Sequence, residues 1–207
     1  MNEREGEMTF YKVLNEDGTC YHGGQGAWPL PTQNEDGTWT PGEWMPALEG
    51  ELVPCEHGYH VVGLEQLLSW IGPAVFEVEV ADSERLQEDD KWVVRGPCRL
   101  VRRLPIGDRE WRLFACDCAE QVLYLCGDDQ RPARAIAVAR RYANGDATQD
   151  ELAAARNAAW AAARNAARDA ARNAAWAAAW AAAGDAARAA ERSWQIARLQ
   201  EYLEGKR

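Results

Sequence analysis

Apolar and polar residues alternate across 75–80, where Phe76, Val78 and Val80 stand against Glu77 and Glu79. A period of two marks a half-buried strand. Met8 to Leu14 is aromatic and β-branched enough for another strand, and Lys91 to Arg95 and Arg99 to Leu104 give two more. Between them the spacing of Leu64, Leu67, Leu68 and Ile71 predicts one helix over 64–71. The first half therefore reads as β-rich.

The pattern changes near residue 105. Glu110 to Cys126 carries a broad apolar helical face of Trp111, Phe114, Cys118, Val122 and Leu125. A second helix is predicted from Asp129 or Gln130, with Pro132 in its first turn, where a missing N–H costs nothing. It stops at Asn144-Gly145, a C-terminal signal in which glycine takes a left-handed conformation. Thr148-Gln149-Asp150-Glu151 is a capping box and opens the next helix. From Ala153 to Ala190 there are 24 alanines in 38 residues, and alanine is the best helix former. Unbroken, 151–183 would span roughly 50 Å. The motif Ala-Arg-Asn-Ala-Ala-Trp occurs at 155–160 and 171–176. Sixteen residues rotate an ideal helix by about 160° net, so Trp160 and Trp176 would nearly oppose each other. A break near Asn165 to Asn173 is expected. A stop and restart is expected at Gly184-Asp185, and a final amphipathic helix with Trp194, Ile196, Leu199 and Leu203 ends at Gly205. The fold class is α+β: a small β-rich domain with one helix over 1–104, then an Ala-rich helical bundle over 105–207.

Within the first half Asn-Glu-Asp-Gly-Thr occurs twice, at 15–19 and 34–38. Asp-Gly favours tight hairpin turns. Calcium binding is the alternative, but the spaced acidic ladder of a calcium loop is missing. Between the copies and beyond, Gln25 to Pro46 reads as an ordered irregular loop packed by Trp28, Trp39 and Trp44.

Charge sharpens the division. The chain has a net charge of −10 over 207 residues. Up to Leu104 there are 19 acidic and 8 basic residues, a balance of −11; from Pro105 there are 14 acidic and 15 basic, a balance of +1. Generic nucleic-acid or membrane-surface binding is disfavoured for such a chain. MNEREGEMTF has neither the basic start nor the apolar core of a signal peptide, and arginine interrupts the alanine run about every turn, so no membrane span is expected. Six cysteines without a secretion signal fit reduced thiols and a cytoplasmic location. Cys116 and Cys118, two apart on a helix, face differently and are not expected to pair.

Two constellations could carry chemistry. Cys20, His22, Cys55 and His60 bring together the ligand types zinc prefers, and two pairs could close a tetrahedron. Their spacing is not that of a common zinc motif. The alternative is a buried Cys55 and a hydrogen-bonded His60 fixing a turn at Gly58. The second constellation is Arg164, Arg168 and Arg172 with Arg156 upstream. Like charges four apart on a helix repel, so the row implies an anionic partner. That partner is either acidic residues of the same chain or a phosphate-bearing ligand with Trp160, Trp176 or Trp180 stacked on a base. No nucleophile elbow, phosphate loop or dinucleotide fingerprint occurs. Neither an enzymatic activity nor a cofactor is expected.

Arg112-Leu113-Phe114-Ala115-Cys116-Asp117-Cys118-Ala119-Glu120, Asp129-Gln130-Arg131-Pro132-Ala133-Arg134-Ala135-Ile136, Gly145 and the alanine-rich run resemble the helical Imm-5-like immunity-protein family, over about residues 110–204. That family accompanies bacterial polymorphic toxins; its usual basic residue directly after the proline is Ala133 here, with Arg134 one later. Tyr11-Lys12-Val13-Leu14, Gly18, Cys55-x-x-Gly58-x-His60 and Lys91-Trp92-Val93-Val94 are similar to an uncharacterised domain of phage and prophage proteins, over about 8–104. The order of its segments is also similar to ADP-ribosyltransferase folds, although Lys91 stands near the place of their catalytic glutamate. The resemblances imply a non-enzymatic binding protein of microbial conflict, in toxin immunity or phage counter-defence, that sequesters a partner such as a basic toxin or a defence effector. A nucleotide-sequestering protein using the helical Arg and Trp residues is the first alternative, and a divergent ADP-ribosyltransferase-like domain the second. Alanine surfaces would also suit a homo-oligomer.

Overall fold

The computed structural model describes residues 8–81, 84–121, 123–172 and 174–207, with the side chains of 125 and 161–187 left out. The fold is α+β, with sheets in the N-terminal part and helices in the C-terminal part. The chain divides into two units: the chain up to Gly107 together with Leu203–Arg207, and Asp108–Tyr202.

The first unit is built on β1 (Phe10–Leu14), β5 (Ala74–Val80) and β8 (Cys98–Arg103), an antiparallel sheet in the order β1-β5-β8. β4 (Tyr59–Val61), β6 (Arg85–Gln87) and β7 (Trp92–Val94) form a second antiparallel sheet in the order β4-β7-β6. The two sheets meet where Tyr11 and Val62 exchange backbone hydrogen bonds of 2.8 and 2.9 Å. Phe10, Leu14, Val61, Phe76, Val78 and Leu100 fill the core between them. Each such buried side chain contributes about 1.5–3 kcal/mol of transfer free energy. The alternation over 75–80 places Glu77 and Glu79 on the outer face, where β8 meets them with Arg102 and Arg99, each at 2.7 Å.

Several expected boundaries shift. The helix expected over 64–71 is one turn, α1 (Leu64–Leu67), and Ile71 is exposed. The region 25–46 is not wholly irregular: β2 (Thr32–Gln33) and β3 (Trp39–Thr40) make a hairpin inside it. Trp28 is buried, but Trp44 lies outside under the Arg99 guanidinium, 4.4 Å from its ring centre. β4 and β6, each three residues long, are too short for periodicity to resolve.

Both copies of Asn-Glu-Asp-Gly-Thr are turns of one geometry. Gly18 and Gly37 have φ of +84°. In each, the Asp carboxylate accepts from the Thr hydroxyl at 2.6 Å and from the Thr backbone N–H at 3.0 or 2.9 Å. These bonds hold Asp17 and Asp36 below the ordinary carboxylate range, and they commit the aspartates to the turns.

The second unit contains α2 (Asp108–Gln121), a 3-10 turn at Leu123–Cys126, α3 (Arg131–Ala143), α4 (Gln149–Arg172) and α5, which runs from Ala174 and whose last residue, Leu203, belongs to the first unit. The helix expected over 110–126 therefore starts earlier and tightens at its end. Pro132 is in the first turn of α3, and Gly145 has φ of +82°. The capping box is formed: Thr148 N–H donates to Glu151 at 2.8 Å, and Glu151 N–H to the Thr148 hydroxyl at 3.2 Å. The break at Gly184 does not occur, because α5 continues through it. One glycine costs a helix about 1 kcal/mol relative to alanine, and the alanines on either side outweigh it. The break expected near 165–173 is absent through Arg172; Asn173 itself lies outside the described residues.

The core of this unit contains a charge that its apolar pattern did not reveal. Asp117 is only 5% exposed. It accepts hydrogen bonds from Arg140 Nη2 at 2.6 Å, Arg198 Nε at 2.7 Å and Tyr202 Oη at 2.9 Å. Burial alone would raise this carboxyl; the three donors together outweigh it and hold it below its ordinary value. One aspartate thus joins α2, α3 and α5.

The twin turns provide a test of context. A Cβ at Gly18 would lie 2.6 Å from the Trp28 carbonyl oxygen, whereas one at Gly37 would meet nothing within 4 Å. Gly37→Ala is expected to destabilise by about 1–2 kcal/mol, the cost of a left-handed alanine. Gly18→Ala is expected to cost a further 1–3 kcal/mol or so from overpacking. Equal losses in denaturant unfolding would contradict the packing difference.

Candidate functional site

Strand β1 sets the site. Its period of two puts Phe10, Lys12 and Leu14 on one face, and Phe10 and Leu14 belong to the apolar core. Lys12 therefore extends an ammonium group inward from a strand whose neighbours on that face are buried. Its Nζ donates to the His60 carbonyl at 2.7 Å and lies 5.4 Å from the centre of the Trp28 ring. Among the described residues no carboxylate pairs with it. Burial lowers its pKa below the ordinary 10.5.

Lys12 lines a cavity of about 680 Å³ within the first unit, in the size range of small-molecule sites. Three stretches that are distant in sequence make its walls: 20–28 after the first turn, 55–62 around β4, and Trp70 with Lys91. Lys91 is 9% exposed; its ammonium donates to Asp90 Oδ1 at 3.0 Å, which raises its pKa. It also lies 5.8 Å from the centre of the Trp70 ring. Trp70 is fixed by its indole N–H, which donates to the Asp90 carbonyl at 2.7 Å. At the rim His22 stands edge-on to both Tyr21, at 4.7 Å, and Trp70, at 5.1 Å.

The cavity brings together Cys20, His22, Cys55 and His60, the four residues expected as zinc ligands. It does not arrange them as ligands: among the described residues no group of three or more His, Cys, Asp or Glu side chains is placed to hold a metal ion. His60 is committed elsewhere, because its Nε2 accepts the Cys55 N–H at 3.0 Å. That bond requires the neutral ring. Burial, followed by the nearby ammonium groups of Lys12 and Lys91, lowers the His60 pKa in the same direction. The Cys55-x-x-Gly58-x-His60 spacing is thus the signature of a local turn. Cys55 has φ of +65°, and Gly58 has φ of +141° where a Cβ would lie 2.2 Å from Val93 Cγ1. The six cysteines are free thiols, and Cys55, expected to be buried, is exposed at this turn.

Of the helical residues expected to bind a ligand, Trp160 is 67% exposed and borders a shallow groove with Ala135, Arg156, Asn157 and Ala159. The side chains of Arg164, Arg168, Arg172, Trp176 and Trp180 lie outside the described residues. Sequence reasoning passed over Lys12 as a candidate, though its signal was present: a lone cation at the central position of the apolar face of Phe10-x-Lys12-x-Leu14. The pairing of Lys91 with that face had no sequence signal, because it depends on how β7 is placed by β4.

No family model, curated protein or solved structure matches the chain. Among the described residues no helix is long and apolar enough to cross a membrane.

Lys12 links site and stability. Because its folded-state pKa lies below the unfolded value of 10.5, the folded protein holds fewer protons than the unfolded chain between the two values. Stability from this group therefore rises with pH across that window. Comparing the wild type with Lys12→Met above pH 7 follows the effect, since His60, whose pKa Lys12 also lowers, titrates below that range. The wild type is expected to gain in melting temperature relative to the variant between pH 7 and pH 10. A constant difference would show that burial places no strain on the ammonium.

Proposed function

We propose that this chain is a non-enzymatic binding protein that sequesters a small anionic ligand in the Lys12 cavity. The observation that carries this reading is the Lys12 ammonium itself. It is turned toward an apolar core, has no carboxylate partner among the described residues, and faces a cavity of ligand size. Lys12 is half-buried; a charge drawn partly out of water without a counter-charge is costly, and an anion entering the cavity would supply one. His60, whose carbonyl accepts from Lys12, has its Nε2 engaged by a backbone amide and so is not free to act as a base there through that nitrogen. This reading keeps the sequestering role expected from the sequence and moves the small-molecule site from the arginine row of the helices to the first unit.

The test is calorimetric titration of the full chain with a panel of small phosphates and carboxylates. A ligand present at 100 times its Kd is expected to stabilise the fold by about 2.7 kcal/mol, visible as a higher melting temperature. Lys12→Met is expected to lose the response while remaining folded. Absence of binding across the panel, or undiminished binding by Lys12→Met, would overturn the reading.

The exposure of two large aromatics on the second unit, Trp160 at 67% and Tyr124 at 77%, favours a second reading: a protein partner there, as an immunity or counter-defence protein would need. Exposed aromatics are the residues most enriched at interface hot spots. If a toxin gene adjoining this one arrests growth, co-expression of the chain is expected to restore it, and Trp160→Ser with Tyr124→Ser to lower protection by at least tenfold. Full protection by the double variant would remove this surface from consideration.

A further inference from the structure

Resting on the reading that the Lys12 cavity holds an anion, we propose that its ligand is a nucleoside phosphate. The phosphoryl group would meet Lys12 and the backbone amides of 23–26, and the base would meet the aromatic rim of Tyr21, His22 and Trp70.

The first argument is the supply of donors. His22-Gly23-Gly24-Gln25-Gly26 forms part of the cavity wall. Among the described residues none of the backbone N–H groups of 23–26 donates to a protein oxygen; the loop's internal bond is from the Cys20 thiol to the Gln25 carbonyl, at 3.8 Å. An ammonium group has three donors, and Lys12 spends one on the His60 carbonyl. The site therefore offers two ammonium N–H groups and up to four amides. Two carboxylate oxygens would leave several of these unused; the three terminal oxygens of a phosphoryl group make fuller use of them. Successive free amides beside a cation are how loops of this kind hold phosphate.

The glycines point the same way. Gly23, Gly24 and Gly26 have φ of +80°, +89° and +91°. A Cβ at Gly23 or Gly26 would meet nothing within 4 Å, so close packing against the protein does not account for either. Their left-handed conformations are favoured by glycine, and the missing side chains leave the amides open to a ligand.

The second argument is the rim. Tyr21 is 47% exposed, and its ring, that of His22 and that of Trp70 follow one another edge to face. The hydrogen bond from Trp70 to the Asp90 carbonyl holds the inner end of this row. A planar base can stack on such a row. The cavity, at about 680 Å³, has the size for base, sugar and phosphate together. The acidic character of the first half, with its balance of −11 up to Leu104, works against a long polyanion and leaves a mononucleotide as the ligand.

The experiment is isothermal titration of the full chain with AMP, GMP, CMP and UMP, with the four matching nucleosides, with inorganic phosphate and with benzoate. At least one mononucleotide is expected to bind tenfold or more tightly than both its nucleoside and inorganic phosphate. Gln25→Pro removes one loop amide at a residue without left-handed φ and is expected to weaken that binding about tenfold. Tyr21→Ser, an exposed substitution, is expected to narrow the margin of the mononucleotide over inorganic phosphate. Lys12-dependent binding of benzoate with no mononucleotide binding would overturn this proposal and leave the anion reading standing. Inorganic phosphate binding as tightly as every mononucleotide would overturn the role of the rim. No binding by any probe would remove both the proposal and the reading beneath it.

Discussion

A single constraint organises the first unit: an ammonium group on the apolar face of a strand. β1 pairs with β5 along one edge and is bridged through Tyr11 to Val62 along the other, so the register that buries Phe10 and Leu14 also puts Lys12 on their face. Its neighbours answer to that placement. The His60 carbonyl accepts one ammonium N–H, the Trp28 ring lies beneath the charge, and the His60 ring is held neutral next to it. The cavity is the space that remains where the charge has not been covered.

The second unit handles a buried charge in the opposite way. Asp117 is buried, yet two arginines and a tyrosine from two other helices donate to it. Removing a partner from such a network leaves an uncompensated charge and costs about 3–5 kcal/mol. The contrast is instructive. A buried ion completed by its own chain is architecture, and one left incomplete is an opening for something from outside.

How much of this was legible in the sequence follows from the range of each interaction. The Asn-Glu-Asp-Gly-Thr turns, the Thr148 capping box and the outer face of β5 depend on residues within a few positions of each other, and all three were readable. So was Lys12, by the same period of two that marks β5. The cavity was not readable, because its walls come from residues near 12, 25, 60 and 91, and only the pairing of β4 with β7 brings the last two together. The expected zinc set shows the converse error. Cys20, His22, Cys55 and His60 all line one cavity but are not grouped as metal ligands among the described residues, and the Cys55 amide engages Nε2 of His60. The stop expected at Gly184 failed because a single unfavourable residue was weighed without the alanines flanking it.

If the Lys12 cavity receives an anion, as proposed, the acidic residues around it have a kinetic consequence. Glu16, Asp17, Glu49 and Glu51 are exposed on the unit whose cavity holds Lys12, and Glu56, also exposed, is part of the cavity lining. An approaching anion therefore meets repulsion before attraction. Mobile ions screen the outer field over roughly 10 Å at 0.1 M and reach the recess much less, so added salt hastens arrival more than it loosens the hold. Where a steering field attracts the ligand, association slows as ionic strength rises; under the anion proposal the carboxylate fringe here would reverse that sign, and would burden a long polyanion more than a short ligand.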